Sequence, residues 1–168
     1  MTGTLIDDWR TVVSNINAPT YTDNWQISNL TWQLLPEGTS YVSVRVFDEA
    51  GNSSTTVDAF FILKDTHCVV ISDNQDGDFT WRNSSGTLYD IDYIDTGGSK
   101  IKYAQYRIVS GTGAVIVDWY TYASNISSDS YTTDFSLPSS HFDMLPSSFS
   151  YVTVRVFDYA LNLSLIHI

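Results

Sequence analysis

The chain has 168 residues, with 8 Lys and Arg against 19 Asp and Glu and a formal net charge of -11 at pH 7. A protein binds nucleic acid or an anionic membrane by neutralising phosphates with basic residues. The excess of acidic residues therefore argues against both partners. The single cysteine excludes an intrachain disulfide and a thiolate metal site, and no stretch approaches the roughly 20 apolar residues of a membrane-spanning helix.

Short runs in which side-chain character alternates with period two recur along the chain and predict β-strands. The runs are residues 5–13, 41–47, 57–63, 88–94, 101–109, 115–122 and 151–157. Polar turn-forming stretches lie between them, at residues 14–22, 48–54, 72–78, 95–99 and 136–140. Short strands separated by polar turns are typical of a β-sandwich, so an all-β fold is predicted.

The chain repeats itself at an offset of 110 residues. Residues 2–52 align with residues 112–162 without a gap, and 23 of the 51 aligned positions are identical. The strongest match is YVSVRVFDEAGN at residues 41–52 against YVTVRVFDYALN at residues 151–162. A period of this length predicts modules of roughly 100 residues, each large enough for its own core.

In each copy of this motif the valines share one face of the predicted strand, because successive side chains alternate across a strand. We expect Val42, Val44 and Val46, and their counterparts in the second copy, to face the core. The following residues, 48–52, contain Asp, Gly and Asn, which favour a tight turn before the last strand of the module.

The repeat also predicts the domain organisation. Residues 1–65 align with the back half of a module, because nothing upstream corresponds to residues 68–111. Residues 66–168 are predicted to be a second module that lacks its full last strand, and residues 163–168 bear little likeness to the first copy. The stretch at residues 63–67 is interpreted as the linker between the two.

The residues LPEGTSYVSVRVFDEAGN at positions 35–52 resemble the fibronectin type III and bacterial immunoglobulin-like families. The second copy keeps the pattern but has Ser148, Phe149 and Leu161 where the family has Gly, Thr and Gly. The resemblance implies immunoglobulin-like β-sandwich repeats, and it implies that Tyr41 and Tyr151 form a tyrosine corner. It further implies a spacer, adhesion or carbohydrate-associated module of a large bacterial surface or secreted protein, without catalysis.

One acidic loop is a candidate calcium site. Asp73, Asp76 and Asp78 lie within six residues and offer oxygen ligands, although Gly77 and Asn83 do not fit the spacing of a helix-loop-helix calcium loop. A solvated turn explains the same residues, so no metal site is assigned. His67, His141 and His167 are far apart in sequence and are not expected to form a metal site.

Aromatic residues offer a second candidate site. Trp9 aligns with Trp119 and Trp25 with Phe135, which favours a shared packing role. Trp81 and Tyr120 have no aromatic counterpart in the other copy and are the candidates for stacking on sugar rings. No nucleophile elbow and no glycine-rich loop before a helix is present, so no catalytic or cofactor-binding residue is predicted.

The predicted function is therefore a non-catalytic extracellular or cell-surface repeat that serves as spacer, stalk or adhesion element. Its expected partners are neighbouring repeats of a longer chain, with a glycan or a surface protein as further candidates. The first residues lack the layout of a signal peptide, so an export signal is expected outside this sequence. A carbohydrate-binding module of a polysaccharide-active enzyme is the alternative, and a fragment of a glycoside hydrolase is a third.

Overall fold

The computed structural model describes residues 3–75, 77 and 79–167 and divides the chain into two units, Met1–Lys64 and Asp65–Ile168. Antiparallel strands dominate the described residues, which also contain two short helices. The all-β prediction is therefore confirmed. The unit boundary lies one residue before the one interpreted from the sequence.

The first unit is organised around one β-hairpin. Strand β1, Gly38–Phe47, pairs antiparallel with β2, Ser53–Lys64. Helix α1, Asn29–Leu34, precedes them, and the Ser28 hydroxyl accepts a hydrogen bond from the Thr31 N–H as its N-terminal cap. The Lys64 ammonium donates to the Leu35 carbonyl at 2.7 Å, which ties the helix end to the hairpin.

The prediction of a strand at residues 5–13 is wrong. Residues 4–27 form neither helix nor strand. The aligned residues of the second unit begin a 14-residue strand, which pairs with the strand that precedes it in the chain. No counterpart of that preceding strand aligns within this sequence, so the backbone of residues 5–13 has no ladder to join.

The described residues of the second unit form two antiparallel sheets. Its strands are β3 Val70–Asp73, β4 Ile91–Ile94, β5 Ile101–Ser110, β6 Val115–Ser128, β7 Ser130–Tyr131, β8 Ser150–Asp158 and β9 Leu163–His167. One sheet has the strand order β3-β4-β7 and the other β6-β5-β8-β9. The short helix α2, Ser139–Phe142, lies in the connection between β7 and β8.

Both sheets contribute to one hydrophobic core. Tyr93 of β4 and Tyr106 of β5 are fully buried, as are Val154 and Val156 of β8. The same cluster of side chains includes the following buried residues: Val69, Ile91, Ile101, Ala104, Ile108, Val117, Ala123, Phe135 and Leu137. Alternation along β5 places Ala104, Tyr106 and Ile108 inward, and burying such side chains is the main stabilising contribution to the unit.

The predicted valine face is buried in one copy only. Val154 and Val156 of β8 have 0% exposure, as the alternation predicts. The identical valines of the first unit remain open, with 37% of Val44 and 56% of Val46 exposed. The expectation that the first-copy valines face a core is therefore wrong, because among the described residues of the first unit no second sheet covers β1.

The hairpin register is the same in both copies. Val46 pairs with Ser54 and Val44 with Thr56, while Val156 pairs with Ser164 and Val154 with Ile166. Subtracting 110 from the four pairs of residues 154–157 gives the pairs of residues 44–47, and beyond them the first hairpin has a register shift between Val42 and Val44. The last five described residues, which bear little sequence likeness to the first copy, thus take the same place as β9.

The other differences from the predicted strands are local. Strand β4 is shorter than the run at residues 88–94, and β6 extends beyond the run at residues 115–122. Tyr41 and Tyr151, expected to form tyrosine corners, are exposed, and within the described chain neither hydroxyl has a hydrogen-bond partner.

Candidate functional site

Three carboxylates of the second unit meet where the linker enters it. Asp65 precedes β3, Asp95 follows β4 and Asp158 ends β8, and each has a carboxylate oxygen within 4.8 Å of those of the other two. Asp95 and Asp158 are buried and Asp65 is half-buried. We call these three residues the carboxylate cluster.

Every oxygen of the carboxylate cluster accepts a hydrogen bond from an N–H group. Asp65 accepts from the backbone N–H groups of His67 and Ser99, at 3.0 and 2.9 Å. The donors to Asp95 are the N–H groups of Gly97 and Lys100, at 2.9 and 2.6 Å. Asp158 accepts from the backbone and side-chain N–H groups of Asn162, both at 2.8 Å.

These donors satisfy the oxygens of all three carboxyl groups, whose burial would otherwise be costly because a buried polar atom without a hydrogen bond is destabilising. Burial by itself raises the pKa of Asp65, but hydrogen bonds from Ser99 and His67 outweigh it and lower the pKa overall. The backbone approaches closely here. A Cβ at Gly97 would collide with the Asp65 carboxylate, so a side chain there would displace that carboxylate from its hydrogen bonds.

Asn162 extends the carboxylate cluster to the linker. Its side-chain amide donates to the carbonyls of Asp65 and His67, both at 3.2 Å, as well as to Asp158. In the first unit Asn52 makes the matching bonds to Asp48, at 2.8 Å from both its backbone and side-chain nitrogen. The Asp-x-x-x-Asn turn of the repeat is therefore a hydrogen-bonded unit, and in the second copy it also holds the incoming chain.

Carboxylate oxygens are the ligands that Ca²⁺ and Mg²⁺ prefer, and each oxygen of the carboxylate cluster keeps a further lone pair. In the structure the carboxylate cluster holds three segments together: the linker, the β4–β5 loop and the β8–β9 turn. Sequence reasoning missed it because its members come from three distant parts of the chain. The available signal was the Asp-x-x-x-Asn spacing, which occurs in both copies.

The acidic loop considered for calcium lies elsewhere. Asp73 ends β3, is exposed and accepts a hydrogen bond from the Gln75 N–H at 3.0 Å. Asp76 and Asp78 lie outside the described residues. The side-chain amide of Asn74 donates to Asp90 and Asp92, at 3.0 Å each, which ties the start of the loop to the stretch around β4.

An arginine lies over aromatic rings on the outer face of both hairpins. The Arg155 guanidinium is 3.9 Å from the centre of the Trp119 ring and 5.4 Å from that of Phe157. Arg45 repeats this arrangement at 4.2 Å from Trp9 and 5.0 Å from Phe47. The tryptophans that align across the repeat thus have the same partner in each copy, an arginine held by cation–π contact.

Arg155 is also hydrogen-bonded within its sheet. Its Nε donates to the Gln105 side-chain oxygen at 2.8 Å, and the Gln105 amide donates to the Thr121 hydroxyl at 2.8 Å. A polar row therefore crosses β8, β5 and β6 on the outer face, beside the stacked rings of Tyr103 and Phe157. This row is a structural feature that the strand pattern alone did not indicate.

The two candidates for sugar stacking differ in setting. Trp81 lies in the irregular segment between β3 and β4 and has 80% of its surface exposed. Tyr120 of β6 is partly covered: its ring packs edge-on against His141 at 4.7 Å and against Tyr106 at 5.4 Å. Within the described chain, no ring contact joins Trp81 to Tyr120, so they do not form one platform.

Each of the three histidines has its own partner in a different part of the fold. His141 Nδ1 is 2.6 Å from the Tyr106 hydroxyl, and His167 Nδ1 is 2.8 Å from the Thr153 hydroxyl. His67 lies in the linker and donates its backbone N–H to Asp65. The structure does not bring the three together.

A group of tyrosines fills the centre of the second unit. The hydroxyls of Tyr93 and Tyr122 are hydrogen-bonded to each other, and burial raises the pKa of both. Burial, with a smaller contribution from Tyr120, raises the pKa of Tyr106 to about 12. These hydroxyls are therefore neutral core groups at physiological pH.

Comparison with known proteins found no matching family model, no matching curated protein and no matching solved structure. No helix in the described part of the chain is long and apolar enough to cross a membrane. The fold class and the geometry above are therefore the basis for a functional proposal.

Proposed function

We propose that this chain is a non-catalytic segment of an array of immunoglobulin-like β-modules, serving as spacer, stalk or adhesion element of an extracellular or cell-surface protein. The observation that carries the proposal is the repeat, in which one hairpin occurs twice in one register with the same turn and the same arginine–aromatic stack. Chains of like modules function through their length and stiffness, because each module contacts mainly its neighbours.

The carboxylate cluster supports this role. In the second unit the linker residues Asp65 and His67 are hydrogen-bonded to Asn162, so the start of the module belongs to its fold. A segment held by such bonds is ordered, whereas Gly- and Ser-rich linkers behave as flexible coils.

Adding whole periods tests the proposal. Residue 162 aligns with residue 52, so residues 53–162 can be inserted after Asn162 with every junction matching one already present. For a stalk, small-angle scattering should show the maximum dimension growing by a constant step of roughly 30–40 Å per inserted period, about the length of a 10–12-residue strand. A dimension that grows only with the cube root of mass would contradict a stalk.

A carbohydrate-binding module is the second candidate, favoured by the exposure of neighbouring aromatic side chains. Phe79 and Trp81 are both about four-fifths exposed, in the same irregular segment. Exposed aromatic rings of this kind can stack on sugar faces. The partners of such a module would be glycans.

Affinity electrophoresis in polysaccharide gels and a glycan array would distinguish the two functions. Saturable binding lost in Trp81→Ala, and kept in the exposed control Phe149→Ala, would support the carbohydrate-binding candidate over a pure spacer. Tyr120→Ala tests the other residue indicated by the sequence. Hydrolysis of chromogenic glycosides by the full chain would instead contradict a non-catalytic role.

A further inference from the structure

The hairpin of the first unit has an open edge that its counterpart in the second unit does not have. Strand β8 is paired on both sides, with β5 and with β9. Among the described residues, β1 pairs with β2 alone. One edge of β1 therefore presents unpaired backbone N–H and C=O groups, which is a template for another strand.

The open edge lies beside an uncovered apolar face. Val44 and Val46 are 37% and 56% exposed, whereas the identical Val154 and Val156 are 0% exposed beneath the second sheet of their unit. The buried side chains that share this core with Val154 and Val156 include Ile91 and Tyr93 of β4. The residues that cover the equivalent valine face of the second unit are therefore known.

We propose that the β1–β2 hairpin is an acceptor for a segment of the type of residues 66–111, carried by the same polypeptide. Its β5-type strand would pair with the open edge of β1, and its β3–β4 part would cover the valine face. Transferring the β5–β8 register by the repeat offset pairs a residue like Tyr106 with Val44 and one like Ala104 with Val46. This is β-strand addition, in which backbone bonds supply affinity and alternate side chains supply specificity.

Two observations identify the occupant as a repeat segment in the same polypeptide. The Arg155 Nε donates to Gln105 of β5, and Arg45 stands at the matching place on β1, so a β5-type strand brings the acceptor that this arginine uses in the second unit. The turn that joins β5 to β6 includes Thr112 and Gly113, which align with Thr2 and Gly3. In sequence, the residues that follow a β5-type strand in the second copy therefore have identical counterparts ahead of residues 4–27 in the first copy.

The experiment joins residues 66–111 directly in front of Thr2 of the full chain, so that the added Gly111 precedes Thr2 as it precedes Thr112. Hydrogen exchange of the amides in residues 41–47 is then measured under reducing conditions. We expect protection to rise by tenfold or more, towards that of residues 151–157 in the same molecule. Protection of residues 151–157 reports that the second unit remains folded.

A matched extension carries Tyr106→Asp and Ile108→Asp in the added copy only, and it should leave residues 41–47 unprotected. Equal protection by this control, or no gain with the unaltered extension while residues 151–157 stay protected, would overturn the proposal. Sedimentation of the unextended chain tests a different occupant. Concentration-dependent dimers that protect residues 41–47 would assign the open edge to a second copy and contradict the inference.

Discussion

Leu161 occupies a backbone position that suits glycine. Its φ is +69°, close to the +85° of the aligned Gly51, and both turns are closed by a hydrogen bond to the preceding aspartate carbonyl. The left-handed region costs a residue with a Cβ roughly 1–2 kcal/mol. The second copy therefore keeps the turn geometry of the first although Leu161 replaces the glycine, and it does so with backbone strain.

Replacing Leu161 with glycine should relieve that strain. We expect Leu161→Gly to stabilise the second unit by about 0.5–1 kcal/mol, less than the full strain because glycine gains entropy in the unfolded chain. Urea unfolding followed by tryptophan fluorescence measures the change. The reverse substitution, Gly51→Leu, should destabilise the first hairpin, since nothing but the backbone opposes a side chain there.

The side chain of Asn162 donates hydrogen bonds to three residues, whereas the side chain of Asn52 donates to one residue. Asn162→Ala should therefore cost about 1–3 kcal/mol, because the Asp158 carboxylate and two carbonyls lose a donor together. The matched variant Asn52→Ala, in an exposed turn, should cost less than about 1 kcal/mol. Equal losses in chemical denaturation would show that the linker bonds contribute nothing.

At the scale of elements, aligned segments of the two copies with similar sequence patterns form different structures. Residues 5–13 share the pattern of residues 115–123, yet only the latter form a strand. Strand pairing is a contact between distant parts of the chain, and β-propensity reflects that environment more than the backbone's own preference. A pattern that is correct for the module therefore mispredicts an element whose partner is missing from the unit.

Two matched valine substitutions would measure how the different burial of the two valine faces affects stability. Val154→Ala removes two methyl groups from a fully buried side chain and should destabilise the second unit by about 2 kcal/mol. Val44→Ala removes the same atoms from a partly exposed side chain and should cost less than about 1 kcal/mol. Unfolding curves of the two variants that shift equally would contradict the exposure of the first valine face.

At the scale of the whole molecule, acid should weaken the carboxylate cluster. The pKa of Asp65 is lower in the folded chain than its ordinary value of 3.8, so its contribution to stability is present above that value and is lost as pH falls through the folded pKa. Thermal unfolding between about pH 5 and pH 2 should show a midpoint that declines most steeply below about pH 4. In Asp65→Asn the decline should be shallower, and an unchanged slope would show that Asp65 has no part in it.

High pH should destabilise the second unit by ionising its buried tyrosines. The folded pKa of Tyr106 is about 12, and those of Tyr93 and Tyr122 are also raised by burial. Stability from these neutral hydroxyls is present below their unfolded pKa of about 10 and is lost as pH rises towards 12. Absorbance at 295 nm should show two classes of tyrosine, the second ionising together with loss of near-ultraviolet circular dichroism; a single class near pH 10 would contradict the burial.

The sequence by itself determined the all-β class, the repeat, the hairpin at residues 41–63 and the inward face of β8, because these depend on local alternation and turn chemistry. Only the tertiary structure decided which valines are buried, that residues 5–13 lack a strand partner, and that Asp65, Asp95 and Asp158 meet. The physical reason is common to all three. Ladder bonds, sheet covering and carboxylate clusters join residues far apart in sequence, and a pattern read along one strand carries no information about its distant partner.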